Sequence, residues 1–172
     1  MALFLDGNSL TLDSFKEIVE KGAVVSLSPK AKEIVQKTRS HVEKAIQSGE
    51  KIYSINTGFG YLSKVTIPKD QLDQLQTNLI RSHASGIGEP HSETESRGIL
   101  LLRTNVLAKG FSGVRVEVVE TLIEMLNKKV HPVIPCKGSV GASGDLAPLA
   151  HLALVLIGEG EAFYQGTRMP GK

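Results

Sequence analysis

The sequence predicts a mainly α-helical fold with a few short strands near the N-terminus. Three observations lead there. Apolar residues recur three and four positions apart over several long stretches, the spacing that gathers them on one face of a helix. Start and stop signals bracket those stretches, as Ser28-Pro29 and Gly49 do around one of them. Extended signals are brief by comparison. No internal repeat, low-complexity segment or linker interrupts the chain, so residues 1–172 read as a single domain.

From the N-terminus, Leu3 to Leu5 is extended and turns at Asp6-Gly7-Asn8. A short amphipathic helix covers about Thr11 to Glu20, with Thr11 or Asp13 as its cap, and Val24 to Leu27 is a second short strand. Ser28 suits the N-cap of a longer helix and Pro29 its first position, where the missing amide costs nothing. Its stripe is Ala31, Ile34, Val35, Val42, Ala45 and Ile46. Lys51 to Ile55 is expected to be extended and to lead into the glycine-rich Asn56-Thr57-Gly58-Phe59-Gly60. A helix over about Lys69 to Ser85 buries Leu72, Leu75, Leu79 and Ile80 and stops at Gly86-Ile87-Gly88-Glu89-Pro90. The next, about Ser92 to Lys109, turns Ile99, Leu100, Leu102, Val106 and Leu107 inward. The one from Gly113 to Lys129 uses Val118, Leu122, Ile123 and Leu126. Pro132 and Pro135 impose an irregular path. A last, strongly apolar helix begins near Asp145 and runs to about Ile157, and Ala162 to Gln165 is extended.

Composition excludes several classes of function. Apolar residues make up 41% and charged residues 22%, the balance of a globular domain able to build a core. A net charge of +2, scattered Lys and Arg and the absence of Trp give no attraction to nucleic acid or to a membrane surface. The single cysteine, Cys136, excludes an internal disulfide and a zinc cluster; it fits a reducing cytosol and is expected to be a buried structural thiol. The first residues are too short an apolar run for a signal peptide, and no stretch approaches a membrane span, so the expected location is cytoplasmic. His41, His91, His131 and His151 show no metal-ligand spacing and read as structural or surface residues. Gly166 to Lys172 fits the first seven positions of a phosphate-binding loop, but it stops before the Ser/Thr and contains Pro170, so the match is chance. Neither metal nor nucleotide is expected.

The chemistry lies in Gly138-Ser139-Val140-Gly141-Ala142-Ser143-Gly144-Asp145-Leu146-Ala147-Pro148-Leu149-Ala150-His151. Ala142-Ser143-Gly144 suits a backbone that attacks itself. Gly144 offers an amide nitrogen unhindered by a Cβ, and it reaches the dihedrals that ring closure needs. That nitrogen adds to the open carbonyl carbon of Ala142 and closes a five-membered ring. Loss of water from the ring and of the Ser143 hydroxyl leaves an unsaturated imidazolone with an electrophilic carbon, a function no ordinary side chain supplies. A helix start near Asp145 would turn free amides and a positive dipole end toward negative charge on the ring. Asp145 itself reads either as an orienting group for closure or as an ordinary cap.

This stretch resembles the histidine ammonia-lyase family and its relatives that act on aromatic amino acids, which make a methylidene-imidazolone (MIO) from Ala-Ser-Gly in this context. Two further motifs carry the resemblance. Tyr53-Ser54-Ile55-Asn56-Thr57-Gly58-Phe59-Gly60 is similar to the family's YGVNTGFG loop, with Ser54 where the family commonly has Gly. The matching tyrosine is the family's proposed base, so the resemblance implies that role for Tyr53; a phenol of ordinary pKa about 10 needs activation to serve at neutral pH. Gly60 would let the backbone approach substrate. Ser82-His83-Ala84 resembles the point where histidine ammonia-lyases bind the substrate side chain, which implies that His83 holds an imidazole. A tyrosine-directed relative can also carry histidine there.

The resemblance implies elimination of ammonia from L-histidine to give trans-urocanate, with catalytic Tyr53, Ala142, Ser143 and Gly144, substrate-binding His83 and Gly60, and Asp145 supporting ring formation. It covers the whole chain but only about the N-terminal third of a family member. The family's later helical bundle, with further substrate-binding residues and most of a homotetramer interface, is expected to be absent. The chain alone is therefore expected to have little activity, to form its MIO only if the remaining pocket allows, and to self-associate through uncovered apolar faces. Two rival readings remain open: a tyrosine or phenylalanine ammonia-lyase or aminomutase, and a non-enzymatic remnant or assembly module.

Overall fold

The computed structural model describes residues 2–140 and 145–172, apart from the side chains of Val140 and Asp145. Strand β1 (Leu3–Leu5) is followed by helix α1 (Leu12–Val19), and β2 (Val25–Leu27) pairs parallel with β1. Helix α2 (Pro29–Ser48) follows, then α3 (Leu72–His83), β3 (Ile87–Pro90), α4 (Glu93–Ala108) and α5 (Val116–Lys128). Strands β4 (His131–Pro132), β5 (Pro135–Lys137), β6 (Ser139–Val140) and β7 (Asp145–Leu146) lead into α6 (Ala147–Leu156), and the chain closes with β8 (Glu161–Tyr164) and β9 (Thr167–Pro170). The mainly helical class holds. The strands are not confined to the N-terminal part, however, because β3 to β9 pair in the second half of the chain.

Local signals fixed the helix starts. Thr11, not Asp13, caps α1, in a reciprocal box with Ser14. Ser28 caps α2 and Gly49 ends it in the left-handed region. Ser92 and Glu95 make a second box at α4. The core gathers around α4 and α5, where Leu100, Leu101, Leu122 and Leu126 pack with Leu5, Ile18, Val25 and Val35. Arg97 is buried among them, 4% exposed. Its Nε donates to the Ile18 carbonyl at 2.8 Å and its Nη1 to the Leu126 carbonyl at 2.5 Å, so one guanidinium ties the C-terminal ends of α1 and α5. The Asn127 side chain exchanges two bonds of 2.9 Å with the Val25 backbone, as a neighbouring strand would.

Several expectations are corrected. Lys51 to Ile55 is a turn, not a strand. The Asn56 side chain takes the Ile52 N–H and donates to the Glu50 carbonyl, both at 2.8 Å, and so satisfies locally the groups that a ladder would have used. The helix expected from Lys69 opens as a single 3-10 turn, Lys69–Gln71, after Pro68, and its apolar side is only half-buried. On α4, Leu102 and Val106 are about half exposed (51% and 49%), while Leu101 is buried. That helix is apolar on more than one side, so its spacing alone did not choose a face. Helix α6 starts at Ala147, after two residues of strand. Gly166 lies in the turn of the β8–β9 hairpin, where Gln165 and Gly166 both have positive φ (51° and 74°), as a two-residue hairpin turn requires. Among the described residues no helix is long and apolar enough to cross a membrane.

Candidate active site

The Tyr53 loop is built from its own short-range bonds. Asn56 closes one end as described. Its carbonyl accepts from Ile67 N–H at 3.0 Å, and Gly58 N–H donates to Val65 at 3.0 Å, so the glycine-rich run is backed by residues 65–67. Thr57 is buried, takes the Ser54 N–H at 3.3 Å and donates to the Gly58 carbonyl. A Cβ on Gly58 would stand 2.7 Å from Leu62 Cβ and 2.8 Å from its carbonyl oxygen, so only glycine allows this closure. Ser54 has φ 69°, in the left-handed region that glycine occupies freely. This explains why the resemblance places glycine there, and it makes Ser54 a residue held against its preference. Tyr53 itself is 58% exposed. Its ring meets Phe59 edge-on, centroids 6.1 Å apart, and its hydroxyl oxygen accepts a long bond, 3.4 Å, from Gly60 N–H. The structure thus brings Tyr53 and Gly60 together.

His83 ends α3 and is half-buried. Its Nδ1 lies 2.8 Å from the Leu79 carbonyl and 3.1 Å from Ser82 Oγ, whose own proton goes to the same carbonyl. A carbonyl only accepts, so Nδ1 carries a proton, and in the tautomer this selects Nε2 is the acceptor; Nε2 has no partner among the described residues. The three residues after His83 lead directly into contact with the chain around the Ala-Ser-Gly triplet. Gly86 N–H donates to His151 Nε2 at 3.0 Å, and β3 pairs antiparallel with β5. Gly138 has φ 148°, and a Cβ there would stand 2.9 Å from Gly86 Cα and 3.1 Å from Ala147 Cβ.

Ala142, Ser143 and Gly144 lie outside the described residues, as does the Asp145 side chain. What flanks them is described. β6 and β7 pair antiparallel, Ser139 with Leu146 and Val140 with Asp145, so the ladder closes the base of a four-residue connection. Leu146, at the exit, has φ 72°, a conformation that costs a non-glycine residue about 1–3 kcal/mol. These flanks and the Ala-Ser-Gly donor set fit an imidazolone made from the backbone: the ends are held close, and Gly138 has no space for a side chain. The helix start expected at Asp145 is displaced. Leu146 occupies the N-cap position with no side-chain cap, so the reading of Asp145 as that cap is withdrawn. The first helical residues are Ala147 and Pro148, and the proline has no N–H to offer.

Cys136, expected to be buried, is exposed, because it lies on a two-stranded ladder of β5 with β3 whose residues 136 and 137 face outward. His151, read only as structural or surface, proves to be a side-chain acceptor for a backbone N–H on the His83 side of the site; its place on the first turns after the triplet was the available signal. Burial lowers the His151 pKa below the ordinary histidine value. Elsewhere a cleft of about 530 Å³ opens beside Ser54 and Ile55, between α2, α3 and the start of α5, but neither Tyr53 nor His83 lines it. Among the described residues no three His, Cys, Asp or Glu gather to hold a metal.

A sequence model of the aromatic amino acid lyases matches residues 10–172. A histidine ammonia-lyase from Alkaliphilus metalliredigens is 54% identical over 168 residues, which is 98% of this chain and 33% of that protein. The solved histidine ammonia-lyase of Trypanosoma cruzi superposes with a TM-score of 0.87 at 40% identity, over 99% of this chain and 33% of that one. The tyrosine aminomutase of Streptomyces globisporus superposes at 0.91 with 36% identity, over 99% and 32%. The chain spans about a third of the length of the curated relatives it matches.

Proposed function

The chain belongs to the aromatic amino acid lyase family, and from that premise we propose that it is the N-terminal portion of an ammonia-lyase converting L-histidine to trans-urocanate, the first step of histidine degradation. The observation that carries the choice of substrate is His83. Its Nδ1–H is spent on Leu79, so Nε2 is an acceptor for the N–H of a substrate imidazole. A phenyl ring would leave that acceptor unpaired, and a site with an unpaired polar group discriminates strongly. The 54% identity to a histidine ammonia-lyase supports the same substrate.

Tyr53 is the base for the β-proton of the substrate, which is weakly acidic and must be taken by a positioned group. Gly60 N–H holds the phenol oxygen in place and leaves the loop backbone open to substrate. The MIO derived from Ala142, Ser143 and Gly144 supplies the electrophile that this chemistry needs, and Asp145 and the β6–β7 ladder hold the ends of the segment that makes it. Because Tyr53 and Gly60 are exposed in the single chain, exclusion of water from the reaction requires further protein over this face. The family's homotetramer is the proposed source, and the isolated chain turns over poorly. The alternative, a tyrosine-directed lyase or aminomutase, is favoured by the tyrosine aminomutase likeness and by the ability of a phenol O–H to donate to the same Nε2. Titration with L-histidine and L-tyrosine, following the His83 ring resonances, separates the two. Saturable shifts with L-histidine at lower concentration support the proposal; tighter binding of L-tyrosine overturns it.

A further inference from the structure

We infer that His151 is a positioning residue, which fastens the segment that follows His83 to the strands that flank the Ala-Ser-Gly segment. The inference rests on the lyase reading for its functional meaning, but the contact can be tested without it. Gly86 sits where three elements meet. Its N–H donates to His151 Nε2 at 3.0 Å, the space a Cβ would take is limited by that ring and by Pro135, and a Cβ on Gly138 would in turn stand 2.9 Å from Gly86 Cα. Pro135 begins β5, and Gly138 immediately precedes β6. His151 stands one helical turn after Ala147, whose Cβ packs toward Gly138, so both contacts come from one face of α6. The spacing between the end of α3 and the strands that flank the triplet is thereby held by this side-chain bond and the Gly86–Gly138 packing contact, together with the β3–β5 ladder.

The bond works only while His151 is neutral. Nε2 accepts, so the ring proton sits on Nδ1, and protonation of Nε2 removes the acceptor. Burial lowers the His151 pKa, with no charged neighbour contributing. Among the described side chains of the elements packed against α6, Arg81 of α3 makes a two-point bond to Glu159 and Asp73 is exposed. On α5, Glu117 is exposed, Glu120 is paired with Lys32 and Glu124 with Lys128. The buried His131 of β4 lies 3.5 Å from Glu93; Glu161 of β8 is bound to Arg168, and Cys136 and Lys137 of β5 are exposed. His83 of α3 is held by Leu79. The contact is therefore present at neutral pH and released as pH falls through the lowered His151 pKa.

The test is the pH dependence of Gly86 amide exchange in the 172-residue chain, in wild type and in two variants. His151→Gln places a non-titrating acceptor near the position of Nε2; His151→Leu removes it. In wild type, Gly86 protection, corrected for intrinsic exchange, should fall about tenfold on acidification. It should be independent of pH in the Gln variant and lost at all pH in the Leu variant, while the buried amides of Val119 and Leu122 stay protected. The Leu variant should also dehydrate at Ser143 more slowly than the Gln variant. Wild-type protection of Gly86 that does not change with pH, or a Gln variant that titrates like wild type, overturns the inference even if the Leu variant fails to fold. A wild-type chain that keeps the Gly86 contact but never loses water at Ser143 contradicts the claim that this chain forms the electrophile unaided, and leaves the contact standing.

Discussion

The Tyr53 loop and the segments around Ser143 are held in opposite ways. Every side-chain bond that shapes residues 50–60 spans seven residues or fewer, and the loop stands exposed with Tyr53 at its surface. The segments around Ser143 close locally through the β6–β7 ladder but are anchored from far away in sequence: Gly86 to His151 spans 65 residues, and β3 pairs with β5. A loop shaped by its own bonds forms early and moves readily; a site assembled from distant segments exists only when the whole fold does. The difference assigns the two regions different tasks. On the proposed reading, the segments that flank the electrophile are anchored within this chain, whereas Tyr53 stands on an exposed face that needs a cover.

The largest effect that would break this comparison is at Ser143 itself. Ser143→Ala has no hydroxyl to lose and should abolish the double dehydration of its peptide, as read by mass. Next is the distant packing. Gly138→Ala forces a Cβ to within 2.9 Å of Gly86 Cα and should cost about 2–3 kcal/mol in urea denaturation. Asn56→Ala leaves the Ile52 N–H and Glu50 carbonyl without their local partner and should cost about 1–3 kcal/mol. Its damage should stay local, appearing as faster proteolysis at 50–66 with Gly86 exchange unchanged. If Asn56→Ala exposes Gly86 as much as Gly138→Ala does, the two regions are not independent.

Acid should act on the distant region first. Burial lowers the pKa of both His131 and His151; for His131, Glu93 opposes this while Arg97 and Lys129 add to it. Groups that bind protons less readily when folded give stability that is full above the unfolded histidine pKa of about 6.5 and is lost as pH falls through the lowered folded values. The urea midpoint should therefore drop between neutral and mildly acidic pH, and less so in His151→Gln. A midpoint that rises on acidification contradicts this. The smallest effect is at Ser54. Ser54→Gly relieves a left-handed serine and should change stability by no more than about 1 kcal/mol, on the stabilising side.

The same division explains what was legible in the sequence. Ser28-Pro29 with Gly49 and Ser92 with Glu95 gave the starts of α2 and α4 because a cap is a contact between near neighbours. The turn at 51–55 was missed because Asn56 was read as part of a glycine-rich run, not as the side chain that occupies the backbone groups before it. Strands β3 to β5 are not legible because short pieces such as Ile87–Pro90 gain their shape only from partners far along the chain, and β6 and β7 are two residues each, too short for any alternation to show. Leu102 and Val106 were placed inside because α4 offers apolar residues on several sides and only packing against α5 selects one. Of the candidate site, the motifs named Tyr53, Gly60, His83 and the triplet. The tautomer of His83 and the part played by His151 required three dimensions, since each depends on a bond to one particular backbone group.

We propose that this chain's own residues are enough to form the electrophile. Intact mass of the purified chain under denaturing conditions should then show a deficit of two waters, mapped to the peptide containing Ser143. A mass equal to that of the unmodified sequence would contradict it.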